Sequence, residues 1–199
     1  LGHISRIMVK HGLGDFMDRL FKQGSNDITA PDSTAHPLKS GFPSPVRIRK
    51  LLEELGPSFV KLGQLMSTRA DIFPPEYIQE FIKLQDSVPP VAFDEIRKVI
   101  EGDFGQDLDD MFNSFNPESM AAASVAQVHM AELPTGEKVA VKVIRPGIEK
   151  KIRQDIGLML VLAEKLERRF DVGQKIGFVN LAREFEQTIF KELDMLTEA

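Results

Sequence analysis

The chain has 199 residues, is 42% hydrophobic and 28% charged, and carries a formal net charge of −5. At this length a core can hide roughly 70% of the unfolded surface without covalent staples, and with no cysteine present disulfides and thiolate metal sites are excluded. The acidic balance speaks against a nucleic-acid binder, no run of 18 apolar residues could span a bilayer as a helix, and His3, His11, His36 and His129 lack metal-ligand spacing, so no metal is expected here.

Ile4, Ile7, Met8, Leu13, Phe16, Met17, Leu20 and Phe21 recur at helical spacing and predict an amphipathic helix over residues 1–22. Its polar face carries Arg6, Lys10, His11, Arg19 and Lys22 beside Asp15 and Asp18. Such a helix can lie on an anionic membrane or pack on its own core. Residues 23–44 are rich in Gly, Ser, Asn, Asp and Pro and read as a flexible linker. Helices are predicted over Pro45–Leu55, over Ser58–Ala70 after the Gly56-Pro57 break, from Pro74-Pro75 to about Gln85, and over Asp94–Glu101. Residues 45–110 therefore form a helical extension.

From about Met111 the apolar period shortens. Val125–Leu133 and Lys138–Ile144 read as strands, and Pro134-Thr135-Gly136-Glu137 has hairpin length. Helical spacing returns from Ile148 to Phe170. A loop covers 171–177, and a last helix begins near Phe178 and runs to the end. Helices, then a small sheet, then helices make an α+β chain with segregated layers. The sequence starts at Leu1 and stops inside a helical pattern, which reads as a fragment.

Val139, Val141 and Val143 alternate with Ala140, Lys142 and Ile144, so the lysine shares a strand face with small and apolar residues. Burying it needs an anionic partner. In kinases a V-A-I-K lysine meets nucleotide phosphates and a helix glutamate; an edge-strand lysine reaching solvent has the same local pattern. Upstream, Ala121-Ala122-Ala123-Ser124-Val125-Ala126-Gln127-Val128 aligns with the kinase loop G-x-G-x-x-G-x-V, with Ala121, Ala123 and Ala126 on the glycines and Val128 on the valine. Glycine reaches positive φ freely and alanine does not. This loop should therefore be stiffer, and should hold phosphates differently from a glycine loop.

Two polar clusters remain. Lys61-Leu62-Gly63-Gln64 puts a glycine mid-helix, a cost of about 1 kcal/mol against alanine that implies a close approach there. Lys61 and Gln64 share a face. Near the end, Glu192 and Asp194 diverge by about 160° on an ideal helix, while Asp194 and Glu198 are i,i+4 neighbours. By its own residues each cluster reads first as a solvated face, the default for a charge run.

K-x-G-Q, an alanine-rich loop before V-A-x-K, and E-L-D with a glutamate four residues after the aspartate occur in that order. Together they resemble the UbiB/AarF/ADCK family of atypical kinase-like proteins, nearest to its bacterial ubiquinone-biosynthesis branch. Glu54-Leu55-Gly56-Pro57, Ser67-Thr68-Arg69-Ala70-Asp71, Leu84-Gln85-Asp86, Ala126-Gln127-Val128-His129 and Lys142-Val143-Ile144-Arg145-Pro146 agree with it. Pro117-Glu118-Ser119-Met120 departs from the proline-leucine entry expected before the loop.

The resemblance implies a kinase-like N-lobe over residues 111–199, a small antiparallel sheet plus an αC-type helix, behind the helical extension. Lys142 and Glu198 would be the catalytic lysine and its helix partner. Ala121, Ala122, Ala123, Ser124, Val128 and Ala140 would join Lys142 in binding nucleotide. Lys61, Gly63 and Gln64, with the Glu192/Asp194 pair, would be regulatory, covering the site against protein substrates. The cofactors implied are ATP and Mg2+. The catalytic-loop Asp and Asn and the metal-binding D-F-G would lie beyond residue 199. Asp103-Phe104-Gly105 precedes the lysine strand, is not that motif, and reads as part of a polar loop. The implied role is ATP binding in support of ubiquinone synthesis, peripheral at the cytoplasmic side of the bacterial inner membrane, with quinone-pathway lipids or enzymes as partners and no nucleic acid. This segment alone is expected to be inactive. The competing reading is a non-catalytic helical scaffold that binds a membrane or a partner protein.

Overall fold

Glycine 12 divides the amphipathic run at the start of the chain. The computed structural model describes residues 2–21, 42–85, 88–170 and 176–194. In it, α1 (Gly2–Lys10) ends before Gly12 and α2 (Gly14–Phe21) begins after it. Gly12 takes φ +69°. Its N–H donates to Val9 O at 2.9 Å, and Leu13 N–H donates to Met8 O at 2.8 Å. This is a Schellman cap, in which a left-handed residue ends the helix and apolar residues on either side touch. Met8 and Leu13 lie in one buried cluster with Ile7 and Leu51. The single helix expected over 1–22 is thus two. Most of the linker at 23–44 and of the loop at 171–177 falls outside the described residues.

Proline sets the next boundaries. Helices α3 (Pro45–Leu55), α4 (Pro57–Ser67) and α5 (Pro75–Phe81) each start on one, where the missing N–H has no intrahelical partner to lose. Gly56, at φ +106°, separates the first two. Helix α4 stops three residues short of the expected Ala70. Ser67 Oγ donates to Gln64 O at 2.6 Å and Thr68 Oγ1 to Leu65 O at 2.8 Å, so side chains take up carbonyls of the last turn. Arg69 then forks onto Asp71 and reaches Glu184 Oε2 at 2.7 Å. Helix α5 ends before the expected Gln85. Its Tyr77 hydroxyl donates to Pro43 O at 2.7 Å, and burial, with Glu76 nearby, pushes the phenol up to about 12.

The described residues fall into two units: those of Leu1–Gln85 with Arg153–Ala199, and those of Asp86–Ile152. The first is helical and includes most of α8 (Ile148–Arg169) and all of α9 (Phe178–Leu193). The second holds the sheet, and the chain divides differently from the expected 45–110 and 111–199. Helices α6 (Phe93–Phe104) and α7 (Leu108–Met111) belong with the sheet, because Ile96, Ile100 and Leu108 bury themselves with Val143. Full burial of such side chains stabilises by about 1.5–3 kcal/mol each, which fixes α6 against the strands. Helix α6 also runs three residues past the expected Glu101 and is capped by Gly105 at φ +65°. Asp103-Phe104-Gly105 is therefore a helix C-terminus rather than a polar loop, with Phe104 68% exposed.

In the sheet, β3 (Ala126–Glu132) is central and antiparallel to β4 (Lys138–Ile144) over its whole length. Along its other edge lie two short strands, β1 (Ser114–Phe115) and β2 (Ala121–Ala122). The hairpin expected at Pro134–Glu137 forms: Gly136 N–H donates to Leu133 O at 2.8 Å, Leu133 N–H to Glu137 O at 2.9 Å, and Gly136 takes φ +88°. A glycine at that left-handed position closes a short hairpin without strain.

Candidate functional site

The register of the sheet aligns the residues singled out in the sequence. Ala121 pairs with Val128, Val128 with Lys142, and Met130 with Ala140. Residues directly opposite share a sheet face. On β4 that face turns Lys138, Ala140 and Lys142 out to solvent, while Val143 on the other face is buried. The lysine strand is thus buried on one side only, and Lys142 stands on the open side without the burial cost of an enclosed charge. Val128, Met130 and Ala140 lie with Lys142 on this one sheet face. That combination suits a ligand with a flat ring and an anionic tail.

The alanine loop is a tight hairpin. β2 leads into Ala123, whose N–H donates to Ala126 O at 2.9 Å. Ser124 and Val125 form the tip and are only 2% and 3% exposed. Among the described residues no non-glycine takes positive φ, so the loop holds a shape alanine adopts without strain. Arg145, just past β4, holds it there. Its backbone N–H donates to Val125 O and its Nε to Ala123 O, both at 2.9 Å. Its Nη1 and Nη2 both reach Pro89 O at 3.0 Å. One planar fork thus ties the loop to the segment entering the sheet unit.

Neither Gln127 nor His129 is among the site residues expected from the sequence, yet both organise this unit. Both are buried, at 1% and 0% exposure. Gln127 Oε1 accepts Val91 N–H at 2.8 Å. Its Nε2 lies 2.9 Å from His129 Nε2, and His129 Nδ1 lies 2.9 Å from Asn116 O. A carbonyl only accepts, so the imidazole proton sits on Nδ1 and Nε2 accepts from the glutamine. The chain of bonds runs from Val91 through β3 to Asn116, beneath Phe115 at 5.3 Å from the imidazole. A polar residue at every second position of a strand is the signal that marks them: alternate residues share one face, here the covered one.

K-x-G-Q lies in the helical unit. Lys61 Nζ meets Glu192 Oε1 of α9 at 2.7 Å. Gln64 Nε2 donates to Leu84 O at 3.2 Å, and one turn before Lys61, Ser58 Oγ donates to Asp155 Oδ2 of α8 at 2.6 Å. The close approach expected at Gly63 is real: a Cβ there would overlap Leu84 Cδ1 and sit 3.0 Å from Leu52 Cδ1. The motif is a docking face on which side chains from three other segments converge.

The acidic helix ends sooner than expected. Helix α9 stops at Leu193, and Asp194, at φ −84° and ψ 91°, has left it. The 160° divergence of Glu192 and Asp194 assumes a continuing helix and does not apply; the expected i,i+4 pairing of Asp194 with Glu198 falls outside the described residues. Glu198 lies outside the described residues. Glu192 keeps one buried oxygen, Oε2, without a hydrogen-bond partner among the described residues. No group of three His, Asp or Glu among the described residues could hold a metal.

The model of the ABC1 atypical kinase-like domain matches residues 83–199. A protein of Marinobacter nauticus named Probable protein kinase UbiB is 47% identical over 163 residues, covering 79% of this chain and 30% of its own. Proteins of the same name from Azotobacter vinelandii and Cellvibrio japonicus are 43% identical over 161 residues and 44% over 163, covering 81% and 79% of this chain. The chain spans about 30% of the length of these relatives.

Proposed function

Because the chain belongs to the ABC1 atypical kinase-like family, we propose that it is the nucleotide-binding front of a UbiB-type protein and takes ATP on the open face of its small sheet. The observation that carries this reading is the row Ala121–Val128–Lys142, with Ala140 beside it. Lys142 orders the phosphates, Val128 and Ala140 meet the base, the loop Ala121–Ser124 covers the phosphates, and Glu198 partners the lysine, as the kinase pattern assigns. Magnesium, when bound, neutralises phosphate charge; its ligands are expected outside this segment.

The whole protein, in this reading, is kinase- or ATPase-like and supports ubiquinone synthesis at the cytoplasmic face of the inner membrane, with quinone-pathway lipids or enzymes as partners. The support is the family resemblance and relatives named Probable protein kinase UbiB. Lys61, Gly63 and Gln64, with Glu192 and Asp194, are its regulatory contact. Phosphoryl transfer also needs a base and a bound metal, so this segment alone should not turn over ATP. The scaffold alternative rested on an apolar stripe over 1–22 that was free to enter a membrane. Ile7, Met8, Leu13 and Leu20 of that stripe are buried, so membrane attachment is not assigned to α1 and α2. Among the described residues no helix is long and apolar enough to cross a membrane.

The test is ATP and ADP titration of the full-length protein. Lys142→Ala should weaken binding roughly tenfold or more, the scale of a lost charge-assisted contact, and Ala123→Gly should shift affinity by restoring backbone freedom. Unchanged affinity in both variants would remove the site from this face.

A further inference from the structure

The helical unit holds a partly open pocket of about 170 Å³ whose lining among the described residues is apolar. Among the described lining residues the only hydroxyl is that of Tyr77, and it donates to Pro43 O at 2.7 Å. Nothing in the wall asks for a polar partner. Protein interiors normally leave few voids larger than a water molecule; an enclosed apolar cavity of roughly 150 Å³ takes up benzene, and this pocket has that size with one side partly open. Three methionines, Met8, Met66 and Met159, stand in the wall, and their unbranched thioethers adapt to whatever fills the space.

We propose that this pocket is a binding site for an uncharged hydrocarbon group, either a benzene-sized ring or the end of an alkyl chain. The volume admits a ring and a few carbons, and excludes a sugar or a phosphate, which would leave polar groups unsatisfied. The site is independent of the nucleotide reading, since every lining residue belongs to the helical unit. Helix α4 contributes Phe59, Leu62 and Met66 to the wall and carries Lys61, Gly63 and Gln64 as well. An occupant therefore packs against the helix that bears the K-x-G-Q motif.

Methionine-methyl NMR of the full-length protein tests this without mutation. Titration with n-butylbenzene should shift the Met8, Met66 and Met159 methyls saturably, leaving Met120, which is 61% exposed in the sheet unit, unmoved. A second arm uses vesicles of dioleoylphosphatidylcholine: shifts at the same three methyls there identify the hydrocarbon as a lipid tail, while shifts with n-butylbenzene alone identify a soluble ligand. Ala163→Leu, which fills the pocket from α8, should abolish the saturable response and melt no lower than wild type; if it does not fold, Ala182→Leu on α9 takes its place. A wild-type protein with no saturable shift in either arm would show a packing void only and overturn the proposal. So would a filled variant that binds as wild type does.

Discussion

Arg145 Nε donates to Ala123 O at 2.9 Å while both terminal nitrogens of the same guanidinium reach Pro89 O at 3.0 Å. The alanine loop and the entry to the sheet unit thus share one side chain. Arg145→Lys keeps the charge but cannot span both carbonyls, because an ammonium is a point donor and a guanidinium a fork. Pro89 is exposed and Ala123 half-buried, so water can replace the lost bonds and the variant should lose about 0.5–1.5 kcal/mol of stability, the net range of a typical hydrogen bond. Urea denaturation reads the midpoint, and amide exchange at residues 123–126 should quicken. A lysine variant with wild-type midpoint and wild-type exchange would sink the clamp.

Gly63 sits where the crown of Leu84 presses on α4. Alanine there gains up to about 1 kcal/mol of helix propensity, yet its Cβ would overlap Leu84 Cδ1 and crowd Leu52. Overpacking of this kind costs about 1–3 kcal/mol, so Gly63→Ala should destabilise on balance. Leu84→Ala vacates the space, at its own cost. The double variant should therefore be more stable than the sum of the single effects implies, with a coupling of about 0.5–3 kcal/mol between contacting residues. Additive behaviour in thermal denaturation would mean that the two residues do not meet.

Glu80 is held between two cations. Lys83 contacts its Oε1, and Arg49 Nε lies 2.9 Å from its Oε2. The Lys83 contact first, and Arg49 second, hold this carboxyl below the usual glutamate value of 4.5. A group with a lowered folded-state pKa stabilises the fold in full above its unfolded value, and that share fades as pH falls through the folded-state value. Glu80→Gln should thus lower the urea midpoint near neutral pH, and the gap to wild type should close as pH falls below the usual glutamate range. A gap that stays constant with pH would assign the effect to packing rather than to charge.

Much of this was legible because local chemistry and tertiary packing agreed. Gly56-Pro57 separated α3 from α4, and Pro134–Glu137 with Gly136 made the hairpin. The alternation of Val139, Val141 and Val143 assigned the faces of β4, and Lys142 fell on the open one. The rest failed for physical reasons. Strands of two residues, as at Ser114–Phe115 and Ala121–Ala122, have no period to read. Apolar spacing continued across Gly12, because a Schellman cap itself brings apolar residues together on both sides of a break. Leu193 ends α9 with neither glycine nor proline after it, so nothing local announced that Asp194 had left the helix. Gln127 and His129 look polar and are buried, a placement that depends on Val91 and Asn116, distant along the chain.

The alanine loop has one more consequence, and it falls on the unfolded chain. Its folded shape needs no left-handed residue, so glycine would gain nothing there in the native state. It would instead widen the ensemble that folding must narrow, at a cost of about 0.4–1 kcal/mol. Alanine at Ala121, Ala122 and Ala123 therefore pre-restricts the segment before any contact forms. Ala123→Gly should lower the melting temperature of the nucleotide-free protein even if it binds nucleotide more tightly, so the two readouts of that variant can move in opposite directions.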